Sequence, residues 1–313
     1  TPTTSSAASD VYKRQKEYYD TNGYYVFKKL ISQELIDNIL AKYQADILSS
    51  KKHFFRQSTN RWEKNKISKY GYSETSFRDI HDYPNYSNFS EAALAIFCCQ
   101  PIREALTELT GSSGHNLMQS MFFDQNTETP AHQDWYYLDS LPNGHLLAGW
   151  FALEDIQEAA GRFYVLPKTN LIDFDLTADE KASTNVYVNK INEYVDTHFH
   201  EINAPALEKG DVLFWNSRTI HGALPTQDSK FSRKSLTAHY LPSQYHFGSR
   251  YRLTPHKVEY SNYKEMQYKL VPDMYKKYSL PAKIRTDLYN FLWEKPKIMR
   301  LYQGVKKLLK KSS

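Results

Sequence analysis

Short apolar runs alternate with turn-forming clusters through the middle of the chain. The runs cover residues 117–123, 146–153, 162–166, 211–215 and 235–240. The turn signals between them include Pro142-Asn143-Gly144, Gly161 and Gly210. Several short strands at such spacing are typical of a sandwich or a barrel. The pattern therefore predicts a mainly β region between about positions 116 and 242.

Helical patterns flank this region and make the predicted fold mainly β with flanking helices. A short strand over 24–27 is followed by apolar positions at helical spacing over 31–39, with Ser32 as the N-cap. A second helical pattern runs over 91–109 and ends before Gly111. Helices are therefore expected on the N-terminal side of the β region.

Two segments stand apart from these patterns. Residues 1–15 are rich in Ser, Thr and Ala, and we expect a disordered lead or a remnant of cloning that does not belong to the fold. Residues 175–202 are polar and interrupt the predicted strands. Loops of this length are usually functional or disordered, so a lid-like insertion is expected there.

Composition excludes several classes of protein. The longest apolar run, 146–153, is far shorter than the roughly 18 residues that span a bilayer, and no secretory signal is visible. The only two cysteines are adjacent, at Cys98 and Cys99, which excludes a disulfide framework and favours a reducing compartment, here the cytoplasm. No phosphate-binding Gly-rich loop is present, which argues against a nucleotide-dependent enzyme.

The positive charge is concentrated at the C-terminus. Seven basic residues and no acidic one lie in 295–313, and without them the formal net charge of +5 becomes −2. The body of the protein is thus nearly neutral, so its charge does not indicate nucleic-acid binding. The segment is also amphipathic at helical spacing. Weak contact with an anionic membrane is one interpretation; a helix on the body with a solvated tail is the favoured one.

The chemistry of the chain centres on His132-Gln133-Asp134. Residues two apart lie on the same side of an extended strand, so His132 and Asp134 can bind one ion. Two histidines and one carboxylate on one face, with the opposite positions open, form the iron site of non-haem oxygenases. His221, which follows a predicted buried strand and opens a loop, is the best candidate for the third ligand.

Arg233 and Ser235 are candidates for binding a cosubstrate beside this centre. The guanidinium fork of Arg233 is suited to a carboxylate of a dicarboxylic cosubstrate, with the Ser235 hydroxyl as a second donor. The remaining histidines have weaker contexts. We interpret His198 and His200 as parts of a solvated loop, and four others as structural: His81, His145, His239 and His246.

With these residues in place, the chain resembles the phytanoyl-CoA dioxygenase-like family of Fe(II)/2-oxoglutarate-dependent oxygenases. The resemblance covers 18–242 and keeps the family's order. It is carried by Gly23-Tyr24-Tyr25-Val26, His132-Gln133-Asp134, 149–155, 161–167, Gly210-Asp211, His221-Gly222 and Arg233-Lys234-Ser235. By matching position, Gln119 and Trp150 resemble further 2-oxoglutarate contacts. Trp150 is equally well interpreted as a core aromatic. The turn at 167–170 reads Pro-Lys-Thr-Asn, whereas the family often ends this turn with Ser-His. This departure concerns the resemblance in the loop near the substrate and leaves the resemblance in the metal ligands unchanged.

The resemblance implies a single oxygenase domain over 16–294, with a double-stranded β-helix (jelly-roll, cupin-like) core. It also implies Fe(II) as cofactor, with 2-oxoglutarate and O2 as cosubstrates that are converted to succinate and CO2 while a C–H bond is hydroxylated. Desaturation or oxidative cyclisation at the same centre, and a non-catalytic jelly-roll binding protein, stay open as alternatives. The carboxylate of Asp134 disfavours a halogenase, because such relatives lack this ligand.

The substrate is expected to be a small organic molecule. No basic cluster suited to nucleotide phosphates stands out in the core, which favours a small molecule over an acyl-CoA. Trp135, Tyr136 and Tyr137 follow the metal pair and are candidates for the substrate pocket. The alternative, that some of them face the core, is equally well supported. The chain is expected to act as a monomer without a nucleic-acid partner.

Overall fold

The computed structural model describes residues 6–59, 61–174, 184–248, 255 and 257–271, with side chains described from residue 12 onward and, after the second gap, from residue 185. The basic segment 295–313, for which helical spacing was noted above, lies outside the described residues. Among the described residues, no helix combines the length and the apolar character needed to cross a membrane.

The largest sheet has eight strands and forms one wall of the core. Its strands run in the order β1-β9-β7-β11-β5-β14-β13, with β4 paired to β5. All neighbours are antiparallel except β14 and β5. We call it the major sheet. Its strands are β1 (Tyr24–Phe27), β4 (Phe77–Arg78), β5 (His115–Phe123), β7 (Leu147–Ala152), β9 (Val212–Asn216), β11 (Ser235–Pro242), β13 (Tyr260–Tyr263) and β14 (Met266–Lys269).

A shorter pair of strands covers the inner face of the major sheet. This minor sheet joins β8 (Phe163–Val165) to β10 (His221–Ala223) in antiparallel register. Single bridges extend it from His132 to His221 and from Val165 to Asn203. Two further antiparallel pairs lie outside these sheets: β2 (Phe54–Arg56) with β3 (Arg61–Glu63), and β6 (Asp139–Leu141) with β12 (His246–Gly248).

The central strands β5, β7 and β11 are buried on both faces, and side chains alternate between the two faces along each strand. On β7, Trp150 packs inward against the minor sheet through Phe163 and Val165. Its neighbour Phe151 packs outward against Phe97 on the helical side, with ring centroids 5.5 Å apart. The two apolar layers confirm the predicted architecture, a β core with flanking helices.

Four helices lie on the N-terminal side of the chain: α1 (Ser6–Asn22), α2 (Gln33–Lys42), α3 (Ser87–Phe97) and α4 (Gln100–Thr110). A π-helical turn, Tyr43–Leu48, continues α2. The predicted cap of α2 is confirmed, since the Ser32 hydroxyl accepts from Leu35 N. The single helix expected over 91–109 is wrong. It is split between α3 and α4 because Pro101 fits the first turn of a helix but not its interior.

The prediction for residues 1–15 is also wrong in part, because α1 begins at Ser6. Lys13 with Glu17 and Lys16 with Asp20 form ion pairs four residues apart, at 4.0 and 2.8 Å, a spacing that supports a helix. Lys16 Nζ also donates to the carbonyl of Leu109 at the end of α4 (3.4 Å). These contacts attach the N-terminal segment to the fold.

The five strands predicted in the middle of the chain are all present, as β5, β7, β8, β9 and β11. The polar insertion expected over 175–202 differs, because it contains helix α5 (Thr184–Thr197). Tyr187, Ile191 and Val195 recur every fourth residue and are buried in one apolar cluster. The average polarity of the segment concealed this stripe, which packs α5 onto the domain.

Candidate metal and cosubstrate site

The three residues predicted to bind a metal meet at the minor sheet. His132 and His221 are bridge partners, and the N–H of each donates to the carbonyl of the other at 3.0 Å. Their ring centroids are 4.2 Å apart. Asp134 opens the 3-10 turn Asp134–Tyr136. One ligand atom from each side chain lies within 4.8 Å of the others, so three residues far apart in sequence converge on one point.

Backbone hydrogen bonds fix the orientation of both imidazoles. His132 Nδ1 lies 2.8 Å from the carbonyl of Pro130, and His221 Nδ1 lies 2.9 Å from that of Thr219. Because a carbonyl only accepts, each Nδ1 carries the proton and each Nε2 presents a lone pair. Both Nε2 atoms face Asp134 Oδ1 at 3.7 Å, too long for a hydrogen bond.

The second oxygen of Asp134 is held by the protein. Trp215 Nε1 donates to Asp134 Oδ2 at 2.9 Å, and His239 Nε2 lies 3.4 Å from the same atom. Burial raises the pKa of the Asp134 carboxyl, but the nearby His221 and His239 outweigh it and hold the pKa well below its usual value. Burial, followed by the proximity of the His132 imidazole, lowers the pKa of His221 to about 3. The group therefore rests as one carboxylate beside a neutral His221.

The donor atoms fit a divalent transition metal. Two imidazole nitrogens and one carboxylate oxygen, on one side of the ion, are the donor set of ferrous oxygenase sites. The carbonyl groups behind each imidazole, and Trp215 behind Asp134, are the outer hydrogen bonds that such ligands usually have. The ligand atoms are thus oriented by the protein itself, while no hydrogen bond joins them to one another.

Arg233 lies on the major-sheet side of the same cavity. Its side chain is 2% exposed, Nη1 donates to the carbonyl of Gly161 at 3.0 Å, and Nε has no hydrogen-bond partner among the described residues. No carboxylate in the described part of the chain pairs with it. Burial lowers the pKa of the guanidinium below its usual value. A buried cation without a counter-ion is costly, so this arrangement fits an anionic ligand.

Trp150 and Ser235 have different positions relative to Arg233. Trp150 lines the cavity, and the guanidinium carbon of Arg233 lies 5.8 Å from the centre of its ring. Ser235 is buried, and its hydroxyl donates to the carbonyl of Arg233 (3.2 Å). It is not among the residues that line the cavity, so its predicted contact with a cosubstrate gains no support from this position.

Gln119 also gains no support as a cosubstrate contact. It faces inward on β5 with Met121 and Phe123, yet only those two line the cavity. With its amide oriented to satisfy its neighbours, Gln119 accepts from Arg78 Nε at 3.1 Å and Nη2 at 3.2 Å. Its polar group is therefore occupied beside the site rather than within it.

The three aromatic residues after the metal pair separate. Trp135 and Tyr136 turn away from the cavity, and Tyr136 is fully buried against Tyr187 of α5. The prediction that these two line a substrate pocket is wrong, because the 3-10 turn at Asp134 ends the alternation of the strand. Tyr137 is 44% exposed and meets the His132 ring edge-to-face at 6.0 Å, at the rim of the cavity.

Two residues beside the metal position were not identified from sequence. His239 was interpreted as structural, yet it lines the cavity, and its Nδ1 is buried without a partner among the described residues. It lies six residues after Arg233 on β11, so period-two alternation could have placed it on the same face. Trp215 was recognised only as part of a buried strand. Its contact with Asp134 depends on how β9 lies relative to the minor sheet, which no local pattern reveals.

The other histidines singled out from the sequence lie away from the cavity. His81 is buried between Ser120 and the carbonyl of Lys269, at 2.6 and 2.9 Å. His198 stacks on Tyr194 at the end of α5. The exposed His200 lies in the short turn that follows. His145 stacks on Tyr245, and His246 begins β12. None of these residues lines the cavity.

Comparison with known proteins agrees with this geometry. A model of the family "Phytanoyl-CoA dioxygenase (PhyH)" matches residues 19–235. Peroxisomal phytanoyl-CoA dioxygenase of Bos taurus is 24% identical over 289 residues, covering 88% of this chain and 80% of that protein. Probable phytanoyl-CoA dioxygenase of Caenorhabditis elegans is 25% identical and covers 72% of this chain and 74% of its own length.

A solved structure shares the fold at lower identity. The carbocyclase SnoK from nogalamycin biosynthesis, described as non-haem and α-ketoglutarate-dependent, superposes with a TM-score of 0.60 at 16% identity. The match covers 87% of this chain and 100% of SnoK. The family match extends over most of the described domain and includes the triad and Arg233. The chain is therefore an oxidoreductase that belongs to the phytanoyl-CoA dioxygenase (PhyH) family.

Proposed function

We propose that the protein is a non-haem Fe(II)/2-oxoglutarate-dependent dioxygenase that hydroxylates an unactivated C–H bond of a small organic molecule. His132, Asp134 and His221 hold the iron, and Arg233 binds the distal carboxylate of 2-oxoglutarate. The observation that carries the proposal is the pairing, in one cavity, of a His-Asp-His cluster with a buried arginine that has no counter-ion among the described residues. These are the two attachment points that the cosubstrate chemistry requires.

Each side chain has a separate task. Iron bound to the triad supplies the redox chemistry that couples decarboxylation of 2-oxoglutarate by O2 to oxidation of the substrate, with succinate and CO2 as products. Arg233 fixes the cosubstrate by charge and by its fork of donors. Trp150 and Phe163 form apolar walls that keep water from the reacting atoms. Trp215 holds Asp134 so that Oδ1 faces the metal.

Hydroxylation is the outcome we favour, because the relatives that align over most of the chain are named dioxygenases. SnoK, which shares the fold, is named a carbocyclase. A cyclisation or desaturation at the same centre differs only in what happens to the substrate after oxidation. Product analysis by mass distinguishes these outcomes, since hydroxylation adds one oxygen atom whereas desaturation and oxidative cyclisation remove two hydrogens.

The lining of the cavity indicates the substrate class. Apart from the triad, His239 and Arg233, the described residues that line the cavity are uncharged. This lining suits a small organic molecule over a charged polymer. A cytoplasmic location stays a prediction, as do the monomeric state and the absence of a nucleic-acid partner, and the mammalian relatives are described as peroxisomal.

The test is succinate formation from 2-oxoglutarate with Fe(II), ascorbate and O2, in the presence and absence of a panel of small lipophilic and polar substrates. We expect succinate to depend on Fe(II) and to fall to background in Asp134→Ala. Glu74→Ala, which removes an exposed carboxylate outside the cavity, is the matched control and should keep wild-type turnover. A wild-type protein without succinate formation, alone or with any substrate, would favour the non-catalytic binding protein instead.

A further inference from the structure

Helix α5 lies behind the two segments that carry the metal-ligand candidates. Gln133, between His132 and Asp134, is fully buried and turned towards α5 rather than the cavity. Ile220, directly before His221, is fully buried in the apolar cluster of α5. Side chains that alternate along extended backbone therefore place the ligands inside and their neighbours against α5.

Tyr187 makes the polar part of this contact. Its hydroxyl oxygen accepts from the backbone N–H of Gln133 at 3.2 Å, and its hydroxyl donates to Gln133 Oε1 at 3.3 Å. The ring of Tyr187 stacks on Tyr136 with centroids 3.7 Å apart and an interplanar angle of 12°. The Tyr187 side chain thus contacts both the backbone between two ligand candidates and the aromatic ring two residues after the second.

The side chain of Gln133 connects this segment to the one that carries the third ligand candidate, His221. Its Nε2 donates to the carbonyl of Arg218, three residues before His221. Its Oε1 also accepts from Trp135 Nε1 at 2.7 Å. Ile191 of α5 lies in the same apolar cluster as Ile220. The outer sides of both ligand segments are therefore joined through one buried amide and one helix.

We propose that Tyr187 is a positioning residue for the metal centre, and that α5 serves as a fixed brace rather than as a lid over the site. The proposal rests on the metal site of the proposed function. Without the Tyr187 hydroxyl, the buried N–H of Gln133 loses its acceptor among the described residues, and an unpaired buried N–H is costly. The peptide between His132 and Asp134 then shifts to find another partner and takes both ligands with it.

The experiment measures Co(II) binding to the full chain by titration of its visible absorption, together with Fe(II)-dependent turnover. We expect Tyr187→Phe to weaken Co(II) affinity by about tenfold, the low end of the range for hydrogen bonds behind metal ligands. The Co(II) spectrum should broaden because the ligand geometry is less uniform. kcat should fall, while KM for 2-oxoglutarate changes by less than about twofold, since Arg233 lies on the major-sheet side of the cavity.

Two controls on the same helix separate positioning from general destabilisation. Tyr194→Phe also deletes a hydroxyl but leaves the Gln133 contacts untouched. Ile191→Val loosens the packing of α5 and keeps the hydroxyl of Tyr187. Both variants should retain wild-type Co(II) affinity, and Ile191→Val should lower the melting temperature at least as much as Tyr187→Phe does.

Equal Co(II) affinity in Tyr187→Phe and wild type overturns the proposal and leaves the proposed function intact. An equal loss of affinity in Ile191→Val also overturns it, because the effect would then follow from loosened packing. A wild-type protein that binds no Co(II) removes the metal site, and with it both the proposed function and this inference.

Discussion

The two sides of the cavity differ in how completely the protein satisfies their polar groups. On the minor-sheet side, His132, His221 and Asp134 are each held by hydrogen bonds on the atom that faces away from the proposed metal. On the major-sheet side, Arg233 makes one hydrogen bond to Gly161, and its Nε has none among the described residues. One side is prepared before a ligand arrives, and the other is left incomplete.

The difference shows that the protein fixes the orientation of the proposed metal ligands in advance, whereas it leaves a buried cation without a partner among the described residues. A metal centre needs ligands within a fraction of an ångström, so outer hydrogen bonds restrict the rings and the carboxylate in advance. The buried guanidinium instead costs stability until an anion pairs with it. The following variants test this comparison.

The largest effect is expected on the minor-sheet side. Asp134→Ala removes one of the three proposed ligands and the oxygen to which Trp215 Nε1 donates. We expect succinate formation to be lost and Co(II) or Fe(II) binding to be abolished, with the secondary structure retained in circular dichroism. His132→Ala should behave alike. Turnover in either variant would contradict the metal assignment.

On the major-sheet side, Arg233→Met should raise the KM for 2-oxoglutarate strongly and leave Co(II) affinity near wild type. Each charge-assisted hydrogen bond is worth about 1.5–3 kcal/mol, or about 10–150-fold in affinity. Arg233→Lys, which keeps the charge without the fork, should show an intermediate KM. An unchanged KM in the Met variant would rule out the proposed anchor.

Thermal denaturation of the same Arg233→Met variant, without ligand, tests whether the buried guanidinium destabilises the folded protein. Because an apolar side chain replaces an unpaired buried cation, its melting temperature should equal or exceed that of the wild type. Adding 2-oxoglutarate should stabilise the wild type more than the variant. A marked loss of stability in the ligand-free variant would show that the cation is already compensated.

A smaller effect is expected behind the metal ligands. Trp215→Phe keeps the apolar ring and removes the N–H that holds Asp134 Oδ2. Metal affinity should fall about 10- to 100-fold, as is usual when a hydrogen bond behind a ligand is lost. Co(II) titration measures the loss. Trp62→Phe, on β3 and outside the cavity-lining residues, is the matched control and should not change affinity.

The last prediction concerns acid stability. Burial lowers the pKa of His115 on the major sheet to about 4, and that of His221 to about 3. The unfolded chain takes up these protons below about pH 6.5, whereas the folded chain does not until the pH is much lower. The free energy of unfolding should therefore fall as the pH is lowered from about 6.5 to 4. Each of the two histidines contributes a slope of about 1.4 kcal/mol per pH unit. His115→Gln should reduce this slope in chemical denaturation; an unchanged slope would contradict the assignment.

The parts of the site that depend on local spacing could be predicted from the sequence. The separation of His132 and Asp134, and the strand texture of β5, β7, β8, β9 and β11, follow from period-two alternation. The pairing of these residues with His221 and Arg233 in one cavity was expected from the order of the segments, and the fold brings them there.

The rest depends on contacts between distant segments. Tyr187 meets Gln133 across 54 positions of the chain, and Trp215 meets Asp134 across 81, so no local pattern reveals either contact. Trp135 and Tyr136 were misplaced because a 3-10 turn replaced the strand after Asp134. Gln119 shows that the correct strand face does not ensure a place in the cavity, since Arg78 engages its amide.

The antiparallel bridge between His132 and His221 makes the proposed metal site depend on the register of the two segments that carry them. A slip of one residue in either segment would turn one imidazole to the opposite face of the sheet, where it could no longer share an ion with the other. At the proposed metal site, we therefore expect only chains folded in the correct register to bind iron. A variant that shifts this register should therefore contain less metal than the wild type when both are purified in parallel.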